Sequence, residues 1–178
     1  MSRINVFVPG TLYRRKIQSS ILSTASPYYE ALLRNELTFC YYCLEFHPAA
    51  FCLPPELTPH IVDLLFDCLE YSVPLSPYHD LVMFVRLCGF LLLSEDFIFI
   101  HLTAPVHGIP LYYALLPLIW ECHRNGYFHF TNDLCVIVPT MFLPANILTT
   151  TRTYRDFIRQ YRNFSRAHGH RKHRYLLL

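Results

Sequence analysis

Cys40, Cys43, His47 and Cys52 fall at the spacing C-x2-C-x3-H-x4-C, one residue short of a zinc knuckle before the histidine. Thiolate and imidazole are the ligands a tetrahedral zinc takes, and a tight Cys-x-x-Cys turn supplies two of them together. A structural zinc is one reading of this segment. The other is a strand: knuckle loops are polar and carry glycine, whereas this run holds Phe39, Tyr41 and Leu44 and no glycine. Its cysteines would then act as small apolar side chains.

Nucleophilic catalysis needs a thiol or hydroxyl held against a base. Cys122 and His123 adjoin in sequence, but adjacency supplies no hydrogen-bond geometry and the two face different sides of a helix. Asp63, Asp67, Glu70, Glu95 and Asp96 read as solvated faces rather than as an acid/base pair. The five glycines are scattered, so no phosphate-cradling loop is present. These residues point away from an enzyme.

The strongest charged pattern lies near residue 178. Residues 151–178 carry eight Lys and Arg against Asp156 alone, while residues 1–150 carry seven against twelve acidic residues. On a helix over about 152–166, Arg152, Arg155, Arg159, Arg162 and Arg166 form one stripe, and Tyr154, Phe157, Ile158, Tyr161 and Phe164 lie opposite. Together with Arg171, Lys172 and Arg174 the stripe suits RNA phosphates or nuclear import. A solvated basic face is the plainer alternative.

These residues need a scaffold. With 53% hydrophobic and only 16% charged residues, the chain can fill a core and still present apolar surface to a partner. Seven cysteines and no secretory signal at the start suggest reduced thiols in a cytoplasmic or nuclear protein. Residues 97–120 lack charge, but His101, Pro105, His107, Gly108, Pro110 and Pro117 argue against a membrane span.

Three helix starts share one form: Ser26-Pro27, Thr58-Pro59 and Ser76-Pro77, each a capping hydroxyl before a proline suited to the first helical position. The spacing of Ile61, Leu64, Leu65, Cys68 and Leu69 predicts a helix over 59–71. That of Leu81, Phe84, Val85, Cys88, Leu91 and Leu92 predicts another over 77–93. Residues 5–8 and Leu12-Tyr13 read as strands around a Pro9-Gly10 turn, and residues 36–53 as a strand with a following loop. Residues 111–123 suit a helix, residues 127–138 two short strands or a loop and a strand, and Thr149-Thr150-Thr151 the cap of the last helix.

Asn5, Val6-Phe7-Val8, Gln18-Ser19, Ile21-Leu22 and Ser26-Pro27-Tyr28-Tyr29, followed by Ile61 to Tyr71 and Phe84 to Leu91, resemble the motif order of a BTB/POZ domain. The resemblance implies an α/β (α+β) fold, a small sheet with packed helices over 1–104, here followed by a helical or irregular extension over 105–150 and a basic amphipathic helix and tail over 151–178. It also implies a homodimeric protein-interaction adaptor that hands a target to a cullin-type ubiquitin ligase. By position, the docking residues would be Tyr28, Tyr29, Leu32, Leu33 and Glu36. The family's acidic residue and His-Arg/Lys pair are replaced by Asn5, Gln18 and Ser19, so its charged co-repressor pocket is not expected.

Leu53-Pro54-Pro55-Glu56-Leu57 also resembles the F-box-like motif of polerovirus silencing suppressors, and the Cys-x-x-Cys-x-x-x-His run the small first-frame proteins of sobemoviruses. That resemblance implies the alternative function: a viral accessory protein suppressing host RNA silencing, through ubiquitin-ligase recruitment or RNA binding by the arginine-rich tail.

Overall fold

The computed structural model describes residues 3–33, 37–40, 45–48, 50–109, 115–137 and 145–167. Strand β1 (Arg3–Phe7) turns at Gly10, in the left-handed region at φ 75°, and returns as β2 (Arg14–Gln18) in antiparallel register, Ile4 opposite Ile17. Leu12 is fully exposed, and the return strand begins at Arg14 rather than at Leu12-Tyr13. The charged run Arg14-Arg15-Lys16 conceals an alternation in which Ile17 is buried and Arg15 half-buried.

Helices α1 (Ser19–Ala25) and α2 (Pro27–Leu33) follow. Residues 36–53 yield three short strands, not one: β3 (Leu37–Cys40) pairs antiparallel with β4 (Glu45–Pro48), and β5 (Ala50–Cys52) joins β1 in parallel. The main sheet is therefore mixed, in the order β2-β1-β5.

Among the described residues the rest is helical: α3 (Pro59–Tyr71), α4 (Leu81–Phe90), α5 (Glu95–His107), α6 (Leu115–Arg124), α7 (Phe128–Ile137), α8 (Ala145–Thr150) and α9 (Tyr154–Ala167). The fold is a small α+β one. Helix α3 has the expected bounds. Helix α4 starts four residues late, because Ser76 enters a turn with His79 and Asp80 accepts the cap hydrogen bond from the Met83 amide at 3.0 Å.

Residues 128–137 are helical, not stranded. Their aromatic and β-branched content favours strands, but Tyr127, Phe130, Thr131 and Leu134 are all buried and repeat at helical spacing. Glu95 accepts from the Phe130 amide at 2.8 Å, so tertiary contact supports the helix start. Thr149 and Thr150 belong to α8. The cap of α9 is Thr153, whose hydroxyl accepts from the Asp156 amide and donates to the Asp156 carboxylate.

One buried cluster runs from Ile4 through α3 to α7 and on to Phe157 and Tyr161 of α9. It spans the segments 1–104, 105–150 and 151–178, and α5 passes through 103–107 without a break.

The hairpin is tied to α3 by a polar clamp. Arg15 donates to Asp63 at 3.1 Å, Asp67 at 2.8 Å and Glu70 at 2.7 Å, and Tyr13 donates to Asp63 at 2.7 Å. The three acids of α3 thus hold a cation rather than only facing water. Burial works against the charged guanidinium, but the bonds to Asp67, Glu70 and Asp63 outweigh it and raise its pKa. Glu70 is only 11% exposed, whereas Asp63 and Asp67 remain 48% and 40% exposed. Arg15→Met should therefore cost about 2 kcal/mol in urea denaturation, below the loss expected when a fully buried pair is broken. An unchanged midpoint would show that the clamp does not hold the hairpin.

Candidate interaction surfaces

The first surface forms where α2 begins and α4 ends. Ser26 is fully buried, accepts from the Tyr29 amide at 3.1 Å and donates to the Leu91 carbonyl at 2.5 Å. One hydroxyl therefore caps α2 and holds it to the end of α4. Beside it, the half-buried Tyr28 ring meets Phe90 edge-on at 5.3 Å. Ala31, three residues after Tyr28 on the same helix face, is exposed.

Helix α4 closes in a Schellman motif, the Leu93 amide donating to Cys88 O and the Leu92 amide to Gly89 O. Helix α6 closes similarly, with Tyr127 N to Cys122 O, and there the left-handed position is Gly126 at φ 83°. In α4 that position is Leu92 at φ 53°, a conformation that crowds Cβ against the backbone. Leu92 fits the apolar period of the sequence, yet the reversal turns it out and leaves it 58% exposed.

Of the expected docking residues, Tyr28 lies at this junction. Tyr29 does not serve a surface, because it is 3% exposed and belongs to the core; it lies about 100° round the helix from Tyr28, on the side that packs. The side chains of Leu32 and Leu33, and all of Glu36, lie outside the described residues.

Phe90 also borders an open cleft of about 260 Å³ with Pro54, Glu56, Leu57, Arg86, Gly89 and Asn125. Arg86 pairs through two nitrogens with Glu121 at 3.1 and 3.0 Å, and Asn125 donates to the Glu121 carbonyl at 2.8 Å. A Cβ at Gly89 would lie 1.9 Å from Asn125 Oδ1, so glycine permits the approach of α6. These groups fasten α4 to α6.

The second surface is α9. Its arginines Arg155, Arg159, Arg162 and Arg166 are exposed, as is Arg152, which the expected helix included but which precedes the Thr153 cap; Phe157 and Tyr161 are buried, and Phe157 stacks on Trp120 of α6 at 5.3 Å. Arg171, Lys172 and Arg174 lie outside the described residues.

The zinc reading also falls outside them: Cys43 is not described, and for Cys40, His47 and Cys52 only the backbone is, in β3, β4 and β5. Among the described residues, no group of three or more His, Cys, Asp or Glu is placed to hold a metal. Nor is any helix among them long and apolar enough to cross a membrane. Burial pushes the Cys68 and Cys135 thiols up to about 11, with Asp67 adding to the effect at Cys68. It raises Cys122 further, and it lowers His123, which rests against Phe128. A buried thiol held protonated is a poor nucleophile.

No protein-family model matches the chain, and neither does any curated protein.

Leu92→Gly removes the crowding at the left-handed position at the cost of a freer unfolded chain, and should raise stability by about 0.5 kcal/mol. Thermal unfolding checks this. A loss of about 2 kcal/mol would mean that the Leu92 side chain is packed into the fold.

Proposed function

We propose that the chain is a protein-interaction adaptor of BTB type that self-associates and links a target protein to a cullin-type ubiquitin ligase in the cytoplasm or nucleus. The observation that carries this reading is the order and pairing of the first half. An antiparallel hairpin leads to the α1–α2 pair, a later strand returns parallel to β1, and α3 and α4 follow, with α3 tied to the hairpin through Arg15. The hairpin, the helix opened at Ser26-Pro27 and the two later helices, in that order, support the reading drawn from the resemblance over residues 5–102.

The junction of α2 and α4 suits such a role. Ala31 and Leu92 are exposed on the two segments, the rings of Tyr28 and Phe90 meet between the helices, and Ser26 fixes the two helix ends relative to each other. An apolar patch on a rigid frame loses little freedom when a partner covers it.

Suppression of RNA silencing is the second reading, and the exposed arginines of α9 favour it. Its ligase-recruiting form has less support, because Leu53 and Leu57 of the Leu-Pro-Pro-Glu-Leu segment are both buried in the core.

Titration of a purified cullin into the nuclease-treated full chain tests the first reading. Saturable binding is expected, weakened at least about tenfold in Ala31→Arg, a loss of about 1.4 kcal/mol at the interface with no change in unfolding temperature. Absence of binding, or equal binding by the variant, would reject the α2–α4 junction as the docking face.

A further inference from the structure

The apolar side of α9 is already occupied. Phe157 is fully buried against Trp120 and Tyr161 is 7% exposed, while Tyr154, 39% exposed, borders the group at 6.3 Å from Trp120. An amphipathic helix that enters a bilayer or a partner's groove must have its apolar face free. What α9 offers outward is its charged side.

The cations of that side are all arginine. Arg152 to Arg166 recur every three or four residues, with no lysine among them; Arg152 stands just before α9, and the stems of Arg155 to Arg166 span about 17 Å of helix axis at about 1.5 Å per residue. A nucleic-acid duplex presents about ten phosphates over that length. The planar guanidinium fork matches phosphate oxygens in pairs, which an ammonium does not. An acidic peptide could neutralise the same charges, but it would first have to be ordered along the whole stripe, whereas a phosphate backbone already repeats its charge.

We infer that α9 is a preformed interface for a nucleic-acid phosphate backbone, mounted on the core by Phe157 and Trp120, with Asp156 as its internal competitor. Asp156 is the one carboxylate in residues 151–178. It accepts from Arg159 at 2.9 Å and takes part in the Thr153 cap. Asp156 occupies Nη2 of Arg159 and offsets its charge, so a bound phosphate competes with the carboxylate at the centre of the stripe. This surface is separate from the α2–α4 junction and does not depend on the adaptor reading.

The test is fluorescence anisotropy of the full chain with a labelled 20-base-pair RNA duplex, a 20-nucleotide single strand, or labelled poly-glutamate, between 50 and 300 mM salt. With about four phosphate contacts, log K should fall against log salt with a slope of about −3.6 on the duplex and about −2.8 on the single strand. Arg152→Gln, Arg155→Gln and Arg166→Gln together should weaken binding more than about tenfold and flatten the duplex slope by about 2.7. Asp156→Asn should act in the opposite direction, strengthening binding about threefold and steepening the slope by about 1. Circular dichroism checks that the variants keep α9.

The inference fails if RNA does not bind at 50 mM salt, if the triple variant binds as the parent does, if Asp156→Asn has no effect, or if poly-glutamate binds as tightly as RNA. Equal binding by the triple variant would assign the contacts to residues 168–178. Loss of cullin binding in a separate titration would leave this result untouched.

Discussion

Arg15 is the point at which the sheet and the helices are made to agree. Strand β2 lies at the edge of the sheet order β2-β1-β5, and α3 carries Asp63, Asp67 and Glu70 on one of its sides. A hairpin of five-residue strands is marginal alone. Here its inner residues Ile4, Val6 and Ile17 join the core shared with Ile61 and Leu65, while Arg15 gathers the three carboxylates at the margin of that core. Burial drives the two elements together, and the charge cluster selects their register.

Once the hairpin is fixed on α3, the other contacts have defined places. Strand β5 can pair only on the free side of β1, which brings the chain to Leu53 and Leu57 in the core and then to the start of α3. Ser26 joins the start of α2 to the end of α4, and Arg86, Glu121 and Asn125 join α4 to α6. Through Trp120 the same core reaches Phe157, so the arginines of α9 stand on a rigid support. The two surfaces are thus parts of one frame, one apolar and one cationic.

What the sequence reveals depends on how local its cause is. Helix α3 follows from its own apolar period and the proline at its first position, and α9 from the segregation of arginine and aromatic residues along a single helix. The return strand β2 and helix α7 were obscured because local composition pointed elsewhere: three successive basic residues in one, aromatic and β-branched residues in the other. Their conformations are decided by partners 48 or more and 35 residues away, Asp63 for Arg15 and Glu95 for Phe130. The role of Asp63, Asp67 and Glu70 was hidden for the same reason. Tyr28 and Tyr29 look alike as a pair, and only packing separates the ring at the junction from the one in the core. Leu92 continues the apolar period of α4, and its exposure comes from the left-handed turn that no periodicity reports.

Hydrogen–deuterium exchange on the full chain, with and without a purified cullin, tests the interaction-module account most directly. The account requires new protection at 27–33 and 90–93, with the strands of the main sheet unchanged. Protection confined to other elements, or an exchange pattern that the cullin leaves unaltered, would contradict it.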